Sequence, residues 1–108
     1  MAIDLSAPTE SPLIRNFTAS TNVTKITVAG GEWKISIYPI GAAAKLGAGS
    51  LGLADGAAFG ASDYATLPAD AWSELLMVPI TDVTGSRSIY VAAGSSISVQ
   101  LMAEKVSS

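Results

Sequence analysis

The chain has 108 residues, enough for one domain with its own hydrophobic core, and no segment of it requires a metal or a disulfide staple. It contains neither cysteine nor histidine, which removes disulfides, thiolate metal sites, cysteine nucleophiles and the commonest general base together. Its net charge of −3 comes from nine acidic and six scattered basic residues, so it offers no basic footprint for a nucleic-acid backbone.

Residues 1–12 hold Pro8 and Pro12 among Ser, Thr and Glu and read as an extended N-terminal arm. They contribute no periodic apolar face, so the arm is expected to be dispensable for folding, and residues 13–108 form a single domain. The start also lacks a basic, then apolar leader, so the chain is expected to be made in the cytoplasm without export. Residues 13–19 alternate, with Leu13, Arg15, Phe17 and Ala19 on one side and Ile14, Asn16 and Thr18 on the other, a first strand. Residues 22–28 are rich in β-branched side chains, and residues 32–38 alternate strictly, with Trp33, Ile35 and Ile37 on one face and Lys34, Ser36 and Tyr38 on the other. The Ala29-Gly30-Gly31 segment between them predicts a hairpin, and Pro39 ends the pairing or marks an edge.

Residues 41–62 are dominated by Ala and Gly, with Leu46, Leu51, Leu53 and Phe59 spaced through them. Each glycine costs about 1 kcal/mol in a helix interior. The stretch is therefore expected to be a long loop whose apolar residues pack locally or on a neighbouring chain. Between residues 63 and 79, Leu67, Ala71 and Leu75 fit a helix, but a turn at 67–70 followed by a strand from Trp72 to Val78 is the preferred reading. Residues 87–105 then form a second predicted hairpin. Ile89 and Val91 alternate before the turn Ala93-Gly94-Ser95-Ser96, and Ile97, Val99 and Leu101 alternate after it. The strand at 72–78 is expected to lie beside the strand at 87–91.

Motif matches in this chain carry little chemistry. Residues 47–52 spell G-x-G-x-x-G, but the flanks do not predict the βαβ unit in which that motif binds a dinucleotide. Ser50 sits in a near nucleophile elbow that has no histidine to activate it. Asp55, Asp63, Asp70 and Glu74 lack the ligand spacing of a calcium loop and read as solvated carboxylates. Asn16 and Asn22 begin glycosylation-type triplets that read as ordinary strand and turn residues. Trp33, Trp72, Tyr38, Tyr64 and Tyr90 are the candidates for an aromatic sugar-binding platform, although a tryptophan on an alternating strand is more often core. No catalytic, cofactor or metal site is expected, and no stretch reaches the roughly 18 consecutive apolar residues of a membrane span.

The C-terminal half carries a resemblance. Leu67-Pro68-Ala69, the apolar run at 75–80, Ile89-Tyr90-Val91-Ala92 and the alternating 97–101 segment resemble the ending of small structural proteins of tailed-phage virions. The resemblance spans residues 64–104. It implies an all-β, antiparallel, jelly-roll-like sandwich located in the virion, most specifically a non-enzymatic capsid decoration (cement) protein. Its implied partners are the major capsid protein or other virion proteins and further copies of itself, as a homotrimer. A neck or tail accessory role and a carbohydrate-binding β module are the alternatives. On that reading the partner-binding residues are Ile3 and Leu5 of the arm, Leu46, Leu51 and Leu53 of the loop, and Phe59.

Overall fold

The computed structural model describes residues 3–4, 13–29, 32–48, 52–60, 63–77 and 86–107. Among them the regular structure is entirely β: β1 (Ile3–Asp4), β2 (Leu13–Ala19), β3 (Thr24–Ala29), β4 (Glu32–Pro39), β5 (Ala44–Ala48), β6 (Ala65–Leu67), β7 (Ser73–Met77), β8 (Ser86–Ala93) and β9 (Ile97–Ser107). A five-stranded sheet runs β1-β3-β8-β5-β6 and a four-stranded sheet runs β2-β9-β4-β7. All pairs are antiparallel except β1 with β3. From β2 onward the pairing is nested: β2 pairs with β9, β3 with β8, β4 with β7 and β5 with β6. No described helix is long and apolar enough to cross a membrane.

The apolar alternation supplies the core. Phe17 and Ala19 of β2, Trp33, Ile35 and Ile37 of β4, and Val99, Leu101 and Ala103 of β9 face Ile26 and Val28 of β3, Ile89, Val91 and Ala93 of β8, and Ala44 of β5 in one buried cluster. Two sheets packed in this way stand about 10 Å apart, with side chains of both inner faces interdigitating. Large and small residues share the layer: Trp33 is fully buried, and Ala103, opposite Ile35, leaves room beside it.

Both predicted hairpins are corners between sheets. The strands at 24–29 and 32–39 belong to different sheets, and so do those at 86–93 and 97–107. Period-two spacing says which side chains share a face, but not which strand lies alongside. Two consecutive strands with one apolar face each bury both faces when the second crosses to the opposing sheet. The strand at 73–77 follows the same rule and pairs with β4, not with β8 as expected from its sequence neighbourhood.

Two further expectations change. The long loop at 41–62 contains β5, which lies between β8 and β6 and supplies buried Ala44 and Gly47. Small residues suit an interior strand here, because β8 needs a partner for its second edge. Within the arm, Ile3–Asp4 pairs with Ile26 and Thr27, and the Ile3 side chain is 7% exposed, so it joins the core. Removing residues 2–10 therefore costs a buried side chain, roughly 1.5–3 kcal/mol, instead of sparing the fold. In the ambiguous segment the strand reading holds: a turn at 69–70 separates β6 from β7.

Leu101 is fully buried on the central strand of its sheet, whereas Thr18 faces solvent on the neighbouring strand. Urea unfolding should show Leu101→Ala destabilising by about 2–5 kcal/mol and Thr18→Ala changing stability by no more than about 0.5 kcal/mol.

Candidate functional site

With the two inner faces sealed, function falls to the outer faces, and the two differ. The outer face of the five-stranded sheet is crossed by a strap, residues 52–60. Its Leu53, Ala57 and Phe59 pack on Val23, Tyr90 and Ala92. Gly47 stands opposite Tyr90 in the β5–β8 register and leaves room beside the ring.

Polar contacts hold the strap in register. The Val23 amide donates to the Ala57 carbonyl at 2.7 Å, and the Gly56 amide donates to the Val23 carbonyl at 2.9 Å. Gly56 has φ +91°, a left-handed conformation that suits glycine at this tight turn. The Asn22 side-chain amide reaches the Gly56 carbonyl at 2.7 Å, and the Lys25 amide donates to Asp55 Oδ1 at 3.0 Å. Beyond the strap, Phe59 meets Tyr64 with ring centroids 5.5 Å apart, and Lys45 Nζ lies 4.8 Å from the Tyr64 ring centre.

The expected partner-binding residues divide three ways. Ile3 lies in the core and Leu46 packs against it. Leu53 and Phe59 sit on the strap, half-buried, with part of each side chain in water. Leu5 and Leu51 lie outside the described residues.

The candidate carboxylates are dispersed into separate structural tasks. Asp63 accepts from the Gly60 amide and Asp70 from the Gly41 amide, both at 3.0 Å, while Glu74 lies 3.5 Å from Lys34 Nζ. No group of three or more acidic residues among the described residues is placed to hold a metal ion. The first glycine of the G-x-G-x-x-G match lies inside β5 instead of in a turn after a strand. Residues 49–51 of that match, including Ser50, lie outside the described residues.

The outer face of the four-stranded sheet carries no such cover among the described residues. Asn16 lies opposite Gln100, and Gln100 opposite Tyr38. The Tyr38 ring packs against Trp72, with centroids 5.2 Å apart and planes tilted by 56°. One row thus joins two amides and two aromatic rings. Beside it, Lys34, Ser36, Glu74, Met102 and Glu104 line a shallow depression. Among the described residues, Ile14 on β2, Trp72 before β7 and Ile40 after β4 are the exposed large apolar residues, at 58%, 48% and 39%.

The aromatic set read from sequence is therefore split. Trp33 is core, Tyr90 lies under the strap, Tyr64 stands against Phe59, and Tyr38 and Trp72 alone form an outward-facing pair. Asn16 and Gln100 were missing from that set because only the register brings them to it. Comparison of the chain with family models, curated proteins and solved structures finds no match.

The Lys25 amide bond holds the Asp55 carboxyl below the usual carboxylate range. A lowered folded-state pKa means that ionised Asp55 steadies the strap fully above the unfolded value of about 3.9. That contribution is lost as pH falls through the folded value, and it is constant around neutrality. Asp55→Ala should speed amide exchange at Val23 and Gly56 roughly fivefold at neutral pH, as loss of a solvent-exposed charged bond predicts. Asp55→Asn, whose side-chain oxygen still accepts, should change it less.

Proposed function

We propose that this chain is a non-enzymatic structural protein of a tailed-phage virion, acting as a capsid decoration (cement) protein. The observation that carries the reading is the strap. A segment rich in Ala and Gly is held across one face of the sandwich by backbone and Asp55 hydrogen bonds, and it presents Leu53, Ala57 and Phe59 half in and half out of the protein. Half-exposed apolar groups on a fixed backbone suit a surface completed by another protein, because little ordering remains to be done on docking.

Three further features support the reading. The nested pairing of β2–β9 in two packed sheets supports a jelly-roll-like reading, and jelly-rolls are used by viral capsid and lectin domains. The resemblance at residues 64–104 points to virion structural proteins. The absence of histidine and cysteine from the whole chain deprives it of the side chains most used in catalysis.

The mechanism is mass action. A protein that binds the assembled head across capsomers, but not its separated subunits, stabilises the shell by about 2.7 kcal/mol per site when present at 100 times its dissociation constant. The surface assigned to the major capsid protein is the side of the five-stranded sheet that carries the strap. Self-association as a trimer is implied by the resemblance.

Empty heads of the source particle, stripped of this protein, provide the assay. Purified chain should cosediment with them and raise the temperature at which they disrupt. A Leu53→Ser/Phe59→Ser double variant that keeps its β-type circular dichroism should bind at least tenfold more weakly. No cosedimentation by the unaltered chain would remove the capsid reading, and undiminished binding by the double variant would remove the strap from it.

A further inference from the structure

The open face of the four-stranded sheet combines features that the fold does not need. Trp72 leaves 48% of its surface in water. The turn before it is already anchored, because the Asp70 amide donates to the Pro39 carbonyl at 2.7 Å and Asp70 Oδ1 accepts from the Gly41 amide at 3.0 Å. Asp70 holds the left-handed conformation, φ 54°, that this anchoring requires. The indole is thus mounted on a fixed turn and backed by Tyr38, with no loop left for it to hold.

The same row continues into amides. Asn16 and Gln100 are aligned with Tyr38 across β2, β9 and β4, and among the described residues neither side-chain amide has a hydrogen-bond partner. A primary amide offers two donors and an acceptor, which matches a hydroxyl that both gives and takes hydrogen bonds. An aromatic ring offers an apolar plane with a polar handle, which matches the C–H face of a pyranose. Ser36 and Glu74 in the adjoining depression add a hydroxyl and a carboxylate acceptor.

Size and charge narrow the ligand. Neighbouring strands stand about 4.7–4.9 Å apart, so a row across four of them measures about 14 Å, long enough for an oligosaccharide instead of one sugar. Around the depression one cation, Lys34, stands against two carboxylates, Glu74 and Glu104, which disfavours sulfated or other acidic glycans. A sheet face without a deep cleft suits an extended, flat chain better than a helical one.

We propose that the row Asn16–Gln100–Tyr38–Trp72 binds neutral, extended β-linked oligosaccharides. The site lies on the opposite layer of the sandwich from the strap and is independent of the capsid reading.

The test uses the full chain, labelled with nitrogen-15, titrated separately with cellotetraose, N-acetylated chitotetraose, maltotetraose and a heparin tetrasaccharide. At millimolar concentrations one of the two β-linked probes should shift the Trp72 indole N–H and the Asn16 and Gln100 side-chain amide signals. The buried Trp33 indole should stay in place, serving as an internal control of fold. Trp72→Ala should weaken binding at least tenfold, and Gln100→Ala should weaken it severalfold, each with the Trp33 signal unchanged. The proposal is overturned if neither β-linked probe shifts these signals, or if the heparin fragment alone does. It is equally overturned if binding survives undiminished in both variants, or if the row's signals broaden with protein concentration alone, the mark of a contact between copies.

Discussion

The structure depends on one constraint: two sheets, each apolar on one side, must bury those sides against each other. Among the described residues nothing else covers the two inner faces, so Trp33, Ile35, Ile37 and Leu101 leave water by meeting Ile26, Val28, Ile89 and Val91. The last two long strands sit at the middle of this arrangement, β8 between β3 and β5 and β9 between β2 and β4. Chain reversals then become crossings at the ends of the sandwich, and backbone bonds tie them down. The Ala93 amide reaches the Ser20 carbonyl at 2.7 Å, and the Ile40 amide reaches the Ser98 carbonyl at 2.9 Å. Edge strand β2 is also restrained, with the Arg15 guanidinium donating to the Ile14 carbonyl at 3.1 Å.

That constraint determines what remains for interaction. Once the inner faces are consumed, the outer face of the five-stranded sheet is closed by the strap over Tyr90, and that of the four-stranded sheet is left with its row of amides and aromatic rings. The two proposals use these two faces separately. The proposed assembly draws on half-exposed apolar groups with backbone support, whereas the proposed carbohydrate binding draws on an exposed indole and a row of outward-facing amides. Both of these surfaces require only shape, apolar area and hydrogen bonds.

Strand identity was largely legible in the sequence. The alternations at Phe17 and Ala19, at Trp33, Ile35 and Ile37, and at Val99 and Leu101 all point into the core as read. Strand neighbours were not legible, because a Gly/Ser connection serves a hairpin and an inter-sheet corner equally well. Strand β5 escaped detection since Ala44 and Gly47 carry almost no apolar signal, and its place is set by the unpaired edge of β8. Ile3 was hidden for a related reason: two residues are too few to show periodicity. The candidate site was half legible. Tyr38 and Trp72 stood out as aromatics, but Asn16 and Gln100, distant from each other in the chain, join them only through the β2–β9–β4 register.

The account rests on β8 and β9 lying in opposite sheets, and a map of backbone proton–proton nuclear Overhauser contacts tests that most directly. Cross-strand contacts should join residues 97–103 to 13–19 and to residues 35–39, and residues 86–91 to 24–29. A ladder of such contacts between residues 89–93 and 97–101 would show a simple hairpin there, and would contradict both the sandwich order and the placement of the row on its outer face.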